Sequence, residues 1–185
     1  VLYGVQTQRA VNNYHISRKR MCAYPEYVIA IAYVKMAAAQ TNIQLGQIDE
    51  KVGNAMIEAC KEIIAGKHHE NFVTDMVQGG AGTSVNMNAN EVVANRAAQL
   101  AGKALGVYDY IHPNDHVNFG QSTNDVFPTA GKLTALFLVE DLLEELMLLQ
   151  EALLDKSIEF NDVIKLGRTH LQDAVPIRMG QEFHA

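Results

Sequence analysis

The amino-acid sequence predicts a mainly all-α protein: an N-terminal, mostly helical domain over residues 1–124, then the beginning of a central long-helix bundle over residues 125–185. Three observations lead there. Apolar residues recur every three to four positions in separate stretches. Those stretches carry helix start and stop residues at their ends. One of them continues for about thirty residues from Pro128, well beyond the usual globular helix.

Taken in order, Pro25 suits the first turn of a helix, and the apolar run behind it reaches Gly46. Asp49 is placed to cap a second helix, with Val52, Ala55, Met56, Ala59, Cys60, Ile63 and Ile64 on its periodic face and Gly66 past its end. His68, His69 and Glu70 then form a loop. Adjacent histidines cannot share a helix face and no third ligand stands at a motif spacing, so no metal is expected there. Phe72 to Val77 reads as a short extended piece. Ser84 or a neighbouring asparagine is expected to cap a helix running to about Ala104. Residues 106 to 125 are turn-rich.

From Pro128 to about Phe160 the pattern is helical, roughly 45–50 Å at 1.5 Å per residue. Glu140, Asp141, Glu144, Glu145, Glu151 and Asp155 form a narrow polar stripe, and leucines from Leu133 to Leu153 fill both flanks. A helix apolar over most of its girth must be surrounded by other helices. The sequence after it is too short for that, so its partners are further segments, other subunits, or both. With Val1 in first place and no helix stop signal at Gln181-Glu182-Phe183-His184-Ala185, the chain reads as part of a longer one.

The bulk composition narrows the function. Of 185 residues, 48% are hydrophobic and 19% charged, as in a globular protein with a core. The net charge is −6 and the only basic cluster is Arg18-Lys19-Arg20, which argues against nucleic acid. Charges interrupt both dense apolar stretches, 27–39 and 133–154, so neither spans a membrane. Cys22 and Cys60 are isolated, without CxxC or metal spacing. With no signal-peptide pattern, they read as reduced thiols of a cytoplasmic protein.

Three polar stretches carry the chemistry. Gln78-Gly79-Gly80-Ala81-Gly82-Thr83-Ser84 resembles a phosphate loop but has no lysine, and a dinucleotide fingerprint fails at Val85. What is left is a flexible turn before a helix N-terminus, able to cradle a carboxylate on hydroxyls and backbone N–H groups. Alone, it is equally a capped helix after a tight turn. Gln121-Ser122-Thr123-Asn124-Asp125 has the same character and, alone, reads as a capping cluster. Gly167 to Pro176 packs Thr169, His170, Gln172 and Asp173 together, which makes His170 an acid–base or hydrogen-bonding candidate. Converging, the three would hold a small dianion on neutral donors and leave charge free to build on it during reaction.

Longer motifs run through the whole chain in a fixed order: Tyr3-Gly4-Val5-Gln6-Thr7-Gln8-Arg9-Ala10, Asn86-Met87-Asn88-Ala89-Asn90-Glu91-Val92, His112 to Asn118, and Gly167-Arg168-Thr169-His170-Leu171-Gln172-Asp173-Ala174. On these the chain resembles the aspartase/fumarase superfamily. Q-G-G-A-G-T-S and S-T-N are similar to its aspartase, or ammonia-lyase, branch, where class II fumarases read Q-T-G-S-G-T-Q and S-S-N. The resemblance implies a helical bundle assembled as a homotetramer, active sites shared by three subunits, and no cofactor. The implied reaction converts L-aspartate to fumarate and ammonia. The alternatives are a class II fumarase and a non-catalytic structural relative.

Carried over by position, the resemblance gives Thr83, Ser122 and Thr123 the β-carboxylate, Asn124 and His170 the amino group, and Thr169 the α-carboxylate. His112, Asn114 and Asp115 correspond to an accessory anion site, or to a structural turn. The superfamily's catalytic serine loop, G-S-S-x-M-P-x-K-x-N-P, has no counterpart here: the serines are Ser17, Ser84, Ser122 and Ser157. The 185 residues alone are therefore expected to be inactive. Gly120, where relatives more often carry serine or cysteine, is a smaller departure.

Overall fold

The computed structural model describes residues 1–185. Six helices and one hairpin follow in order: α1 (Val5–Asn13), α2 (Pro25–Gln44), α3 (Glu50–Ile64), α4 (Thr83–Leu100), α5 (Thr123–Glu159), β1 (Ile164–Thr169), β2 (Gln172–Arg178) and α6 (Met179–His184). The chain forms two compact units, Val1–Phe137 and Leu138–Ala185. No helix is long and apolar enough to cross a membrane.

In the first unit the expected punctuation of α2 and α3 is present. Pro25 opens α2, and Gly46 follows its end at φ +66°, its amide bonded to the Ile43 carbonyl. The Asp49 carboxylate accepts from the Lys51 and Val52 amides at the start of α3, and Gly66 lies past its end at φ +85°. Left-handed backbone of this kind suits glycine. The two helices pack closely because Gly53 presents no side chain to Ile43. Val28, Ile31, Met56, Cys60 and Ile63 fill the core between them.

Helix α4 is buried on nearly every side, so its polar residues must find partners inside the protein. The Asn88 side chain accepts from the Val73 amide at 3.0 Å and donates to the Asn71 carbonyl at 2.9 Å. Asn95 donates to the Leu2 carbonyl at 2.7 Å and accepts from Gly106 N at 2.8 Å. Glu91, 1% exposed, accepts from the backbone N–H groups of Gly4, Gln6 and Thr7 and from the Thr7 hydroxyl. It serves as the N-terminal cap that Gly4 cannot provide for α1. The asparagine and glutamate pattern of α4 thus pins loops that have no ladder of their own.

Four expectations need correction. Ser84 does not cap α4: Gly82 stands at the cap position at φ +88°, and the Gln78 side chain accepts from the Val85 amide at 3.0 Å instead. A loop that folds back over the helix start can reach that amide from outside. The helix ends at Leu100, short of Ala104, with Gly102 at φ +69° beyond it. Helix α5 begins at Thr123, so Pro128 lies inside it; its missing N–H leaves the Asn124 carbonyl without the usual intrahelical bond. The piece 72–77 forms no strand: it meets residues 19–22 through one bridge, Arg20 with Asp75, and through backbone bonds such as Cys22 N to the Phe72 carbonyl. There the Asp75 carboxylate accepts from Ile16, Ser17 and Arg18, holding the basic loop in place.

In the second unit, β1 and β2 form an antiparallel hairpin where the sequence suggested no strand. Gly180 of α6 fits closely against the Ser157 carbonyl, and Phe160 and Phe183 stack with ring centroids 5.7 Å apart. Within this unit the leucine flanks of α5 are open: Leu142, Leu143, Leu146, Leu149 and Leu153 are all exposed.

Candidate active site

The glycine loop turns sharply through Gly80 at φ +71° and Gly82 at φ +88°. Gly82 faces the Phe127 ring so closely that no side chain fits. The turn delivers Thr83 and Ser84 as the first two residues of α4, whose amides have no intrahelical partner. With the Val85 amide taken by Gln78, the Thr83 and Ser84 N–H groups and hydroxyls remain as donors at the positive end of the helix. Thr83 is exposed, and Ser84 borders an open cleft of about 490 Å³ that Gln6, Arg9, Asn13 and Tyr14 of α1 and its end also line. The cation that the glycine loop lacks in its own sequence therefore stands across this cleft, on α1.

Helix α5 starts the same way. Ser122 caps it, its Oγ accepting from the Asn124 amide at 3.2 Å and its carbonyl from Asp125 and Val126. Ser122 and Asn124 are exposed and Thr123 is half-buried. Asn86, one turn into α4, donates its side-chain amide to the Thr123 hydroxyl at 3.0 Å. Asn86 and Thr123, 37 residues apart in sequence, thus bring the first turns of α4 and α5 side by side within one chain. The first two polar stretches need no second subunit to meet.

Behind them lies a group that sequence reasoning missed. Lys35 of α2, 1% exposed, donates to Asn118 Oδ1 at 2.9 Å and Gln121 Oε1 at 3.0 Å. Asn118 Oδ1 also accepts from Asn86 at 3.0 Å and Asn90 at 3.3 Å. The available signal was one lysine interrupting an apolar helix run. Arg9, Gln6 and Tyr14 were also unassigned, although they lie in or beside the Tyr3 to Ala10 motif.

Thr169 and His170 sit at the tip of the hairpin in the second unit, where Thr169 pairs with Gln172 and leaves His170 and Leu171 as a two-residue turn. Both have positive φ, +50° and +63°, a primed turn that ordinarily takes Asn-Gly. Non-glycine residues held there are strained, and such strain collects at functional sites. Both side chains are exposed, Leu171 at 93%. Asp173 is not a partner of His170: it accepts from Arg168 Nε at 3.1 Å across the strands.

His112, Asn114 and Asp115 share one tight turn, Pro113–Val117. His112 Nδ1 accepts from the Asn114 and Asp115 amides at 3.2 Å, so it carries no proton toward Asp115 Oδ2, which is also 3.2 Å away. Asn114 and Asp115 are exposed. No group of three or more His, Cys, Asp or Glu side chains is placed to hold a metal ion.

Two adjacent helix N-termini carrying hydroxyls, the first of them beside an open cleft, agree with the lyase superfamily that the sequence resembles. The family described as Lyase matches residues 1–185, and the chain belongs to it. It is 54% identical over 183 residues to the aspartate ammonia-lyase of Pseudomonas aeruginosa, covering 99% of this chain and 39% of that one. It is 50% identical over 185 residues to the aspartate ammonia-lyase of Bacillus subtilis, covering 100% and 38%. Among solved structures, a fumarate lyase:delta crystallin from Brucella melitensis in native form matches with TM-score 0.84 and 51% identity, covering 99% of this chain and 43% of that one. A class II fumarase from Schistosoma mansoni matches with TM-score 0.85 and 42% identity, covering 99% and 38%. The chain spans about two fifths of the length of these relatives.

Proposed function

We propose that this chain supplies the carboxylate-gripping part of an aspartate ammonia-lyase, which removes ammonia from L-aspartate reversibly to give fumarate. The observation that carries the reading is identity of about half with aspartate ammonia-lyases along the whole chain. The free donors at the adjacent starts of α4 and α5 agree with it.

In this reading a base takes a proton from Cβ and the charge flows into the β-carboxylate, which becomes an aci-carboxylate. Forming such an anion is steeply uphill unless fixed donors meet the growing charge. Thr83, Ser122 and Thr123 fill that role: hydroxyls and helix-start amides oriented before the substrate arrives. Neutral donors strengthen their hold as charge builds. Asn124 and His170 meet the amino group and Thr169 the α-carboxylate, while His112, Asn114 and Asp115 form the accessory anion site. The base comes from a serine loop outside residues 1–185, so this portion alone is inactive. No cofactor takes part.

Residues 1–124 form the N-terminal domain and residues 125–185 open the central bundle. The exposed leucines of α5 support a homotetramer in which they are covered and the hairpin tip meets the helix starts of another subunit. The enzyme works in the cytoplasm. The test is to offer the full-length protein L-aspartate and malate separately and follow fumarate by ultraviolet absorbance. Turnover of aspartate is expected; activity on malate alone overturns the reading in favour of a fumarase.

A further inference from the structure

We propose that Lys35 is a positioning residue: through Asn118 and Asn86 it fixes the Thr123 hydroxyl so that its proton points away from the core, toward the substrate. This rests on the reading of Thr123 as a carboxylate grip.

The argument is one of donors and acceptors. Charged or neutral, the Lys35 amine carries at least two hydrogens, and these go to the side-chain atoms of Asn118 and Gln121 that face Nζ, at 2.9 and 3.0 Å, which are then carbonyl oxygens. Asn118 Nδ2 donates to the Gln121 carbonyl at 3.1 Å, which agrees with that orientation. With Asn118 Oδ1 settled as an acceptor, the Asn86 atom 3.0 Å from it must be the amide nitrogen. That same nitrogen lies 3.0 Å from Thr123 Oγ. It has hydrogens and no lone pair, so Thr123 accepts there, and its single proton is left for another acceptor. Turned the other way, Asn86 would draw that proton inward and present a lone pair to an incoming carboxylate.

Two costs show that the orientation is imposed. Asn86 Oδ1 and Asn90 Oδ1 are buried without a partner, because both amides turn their nitrogens to Asn118. Lys35 itself is buried among neutral groups, and that burial pushes its amine down to about 7. The one titratable group that acts on it is Cys60 of α3, whose thiol the same burial pushes up to about 12.

The test is a double-mutant cycle in the full-length protein, reading kcat/KM on whichever of aspartate or malate the parent converts to fumarate. Lys35→Met and Thr123→Val are each expected to lower it about 10- to 100-fold. The double variant should fall no further than about threefold below Thr123→Val, because Lys35 acts through that hydroxyl. Losses that multiply would overturn the proposal. If Lys35→Met does not fold, Asn86→Ala completes the same cycle with the same criterion. A neutron map of the parent reads the polarity directly, whatever the turnover: deuterons on the Asn86 atom facing Thr123 support it, and the Thr123 deuteron lying between the two residues overturns it. A parent inert on both substrates overturns the functional reading alone.

Discussion

Glu91 and Thr7 are joined twice: the same carboxylate oxygen accepts from the Thr7 amide at 3.0 Å and from its hydroxyl at 2.6 Å. With Gly4 and Gln6 also bonded, one buried side chain of α4 holds the start of α1, which lines the cleft beside Ser84. Glu91→Gln keeps the shape but leaves only one oxygen for four donors. It should destabilise the full-length protein by about 2–3 kcal/mol, since each bond to a charged group is worth about 1.5–3 kcal/mol. Urea unfolding checks this; an unchanged midpoint would contradict it.

Gln78 ties the glycine loop to α4 through the Val85 amide. Gln78→Ala removes an N-terminal cap and should cost about 1 kcal/mol. Because Thr83 and Ser84 are the two residues just before that amide, KM for the substrate should rise more than kcat falls. Steady-state kinetics separate the two, and an effect on stability without one on KM would contradict the placement.

Lys35 makes stability depend on pH with a definite sign. Its amine is held at about 7 in the folded protein against an ordinary 10.5. Between those values the unfolded chain binds more protons, so the unfavourable contribution is full below 7 and disappears as the pH rises toward 10.5. The stability of Lys35→Met relative to the parent should therefore fall across this window, by at most about 1.4 kcal/mol per pH unit. Paired thermal-unfolding curves measure it; a flat difference would contradict it.

Cys60 is fully buried with its thiol pushed up to about 12, so little thiolate exists at ordinary pH. Iodoacetamide at pH 8 should alkylate it only after denaturation. Peptide mapping that finds Cys60 modified in the native protein would contradict its placement.

What the sequence made legible follows from where the forces are local. Helix α3 was readable because Asp49, its three-to-four periodicity and Gly66 all act within the helix itself. The capping cluster at 121–125 was readable, and Ser122 does cap α5, but Pro128 resembles a first-turn proline and drew the expected helix start five residues too late. The hairpin was missed because β1 and β2 are almost wholly exposed and show no in–out alternation, and His170-Leu171 is no ordinary turn pair. Hydroxyl clusters before two helices were visible in the sequence, and the family resemblance singled out Thr83, Ser122 and Thr123 among them. Their support by Gln78, Lys35 and Asn86 was not visible, because a buried lysine and a buried asparagine look the same in sequence as exposed ones.

The central claim is that hydroxyls at the adjacent starts of α4 and α5 hold the carboxylate where charge builds. Turnover of L-aspartate by full-length Thr83→Ala and Ser122→Ala, with the oligomer checked by size-exclusion chromatography, tests it most directly. Losing one such donor is expected to cost about 10²–10³ in kcat with the assembly unchanged. Parental rates in both variants would contradict it.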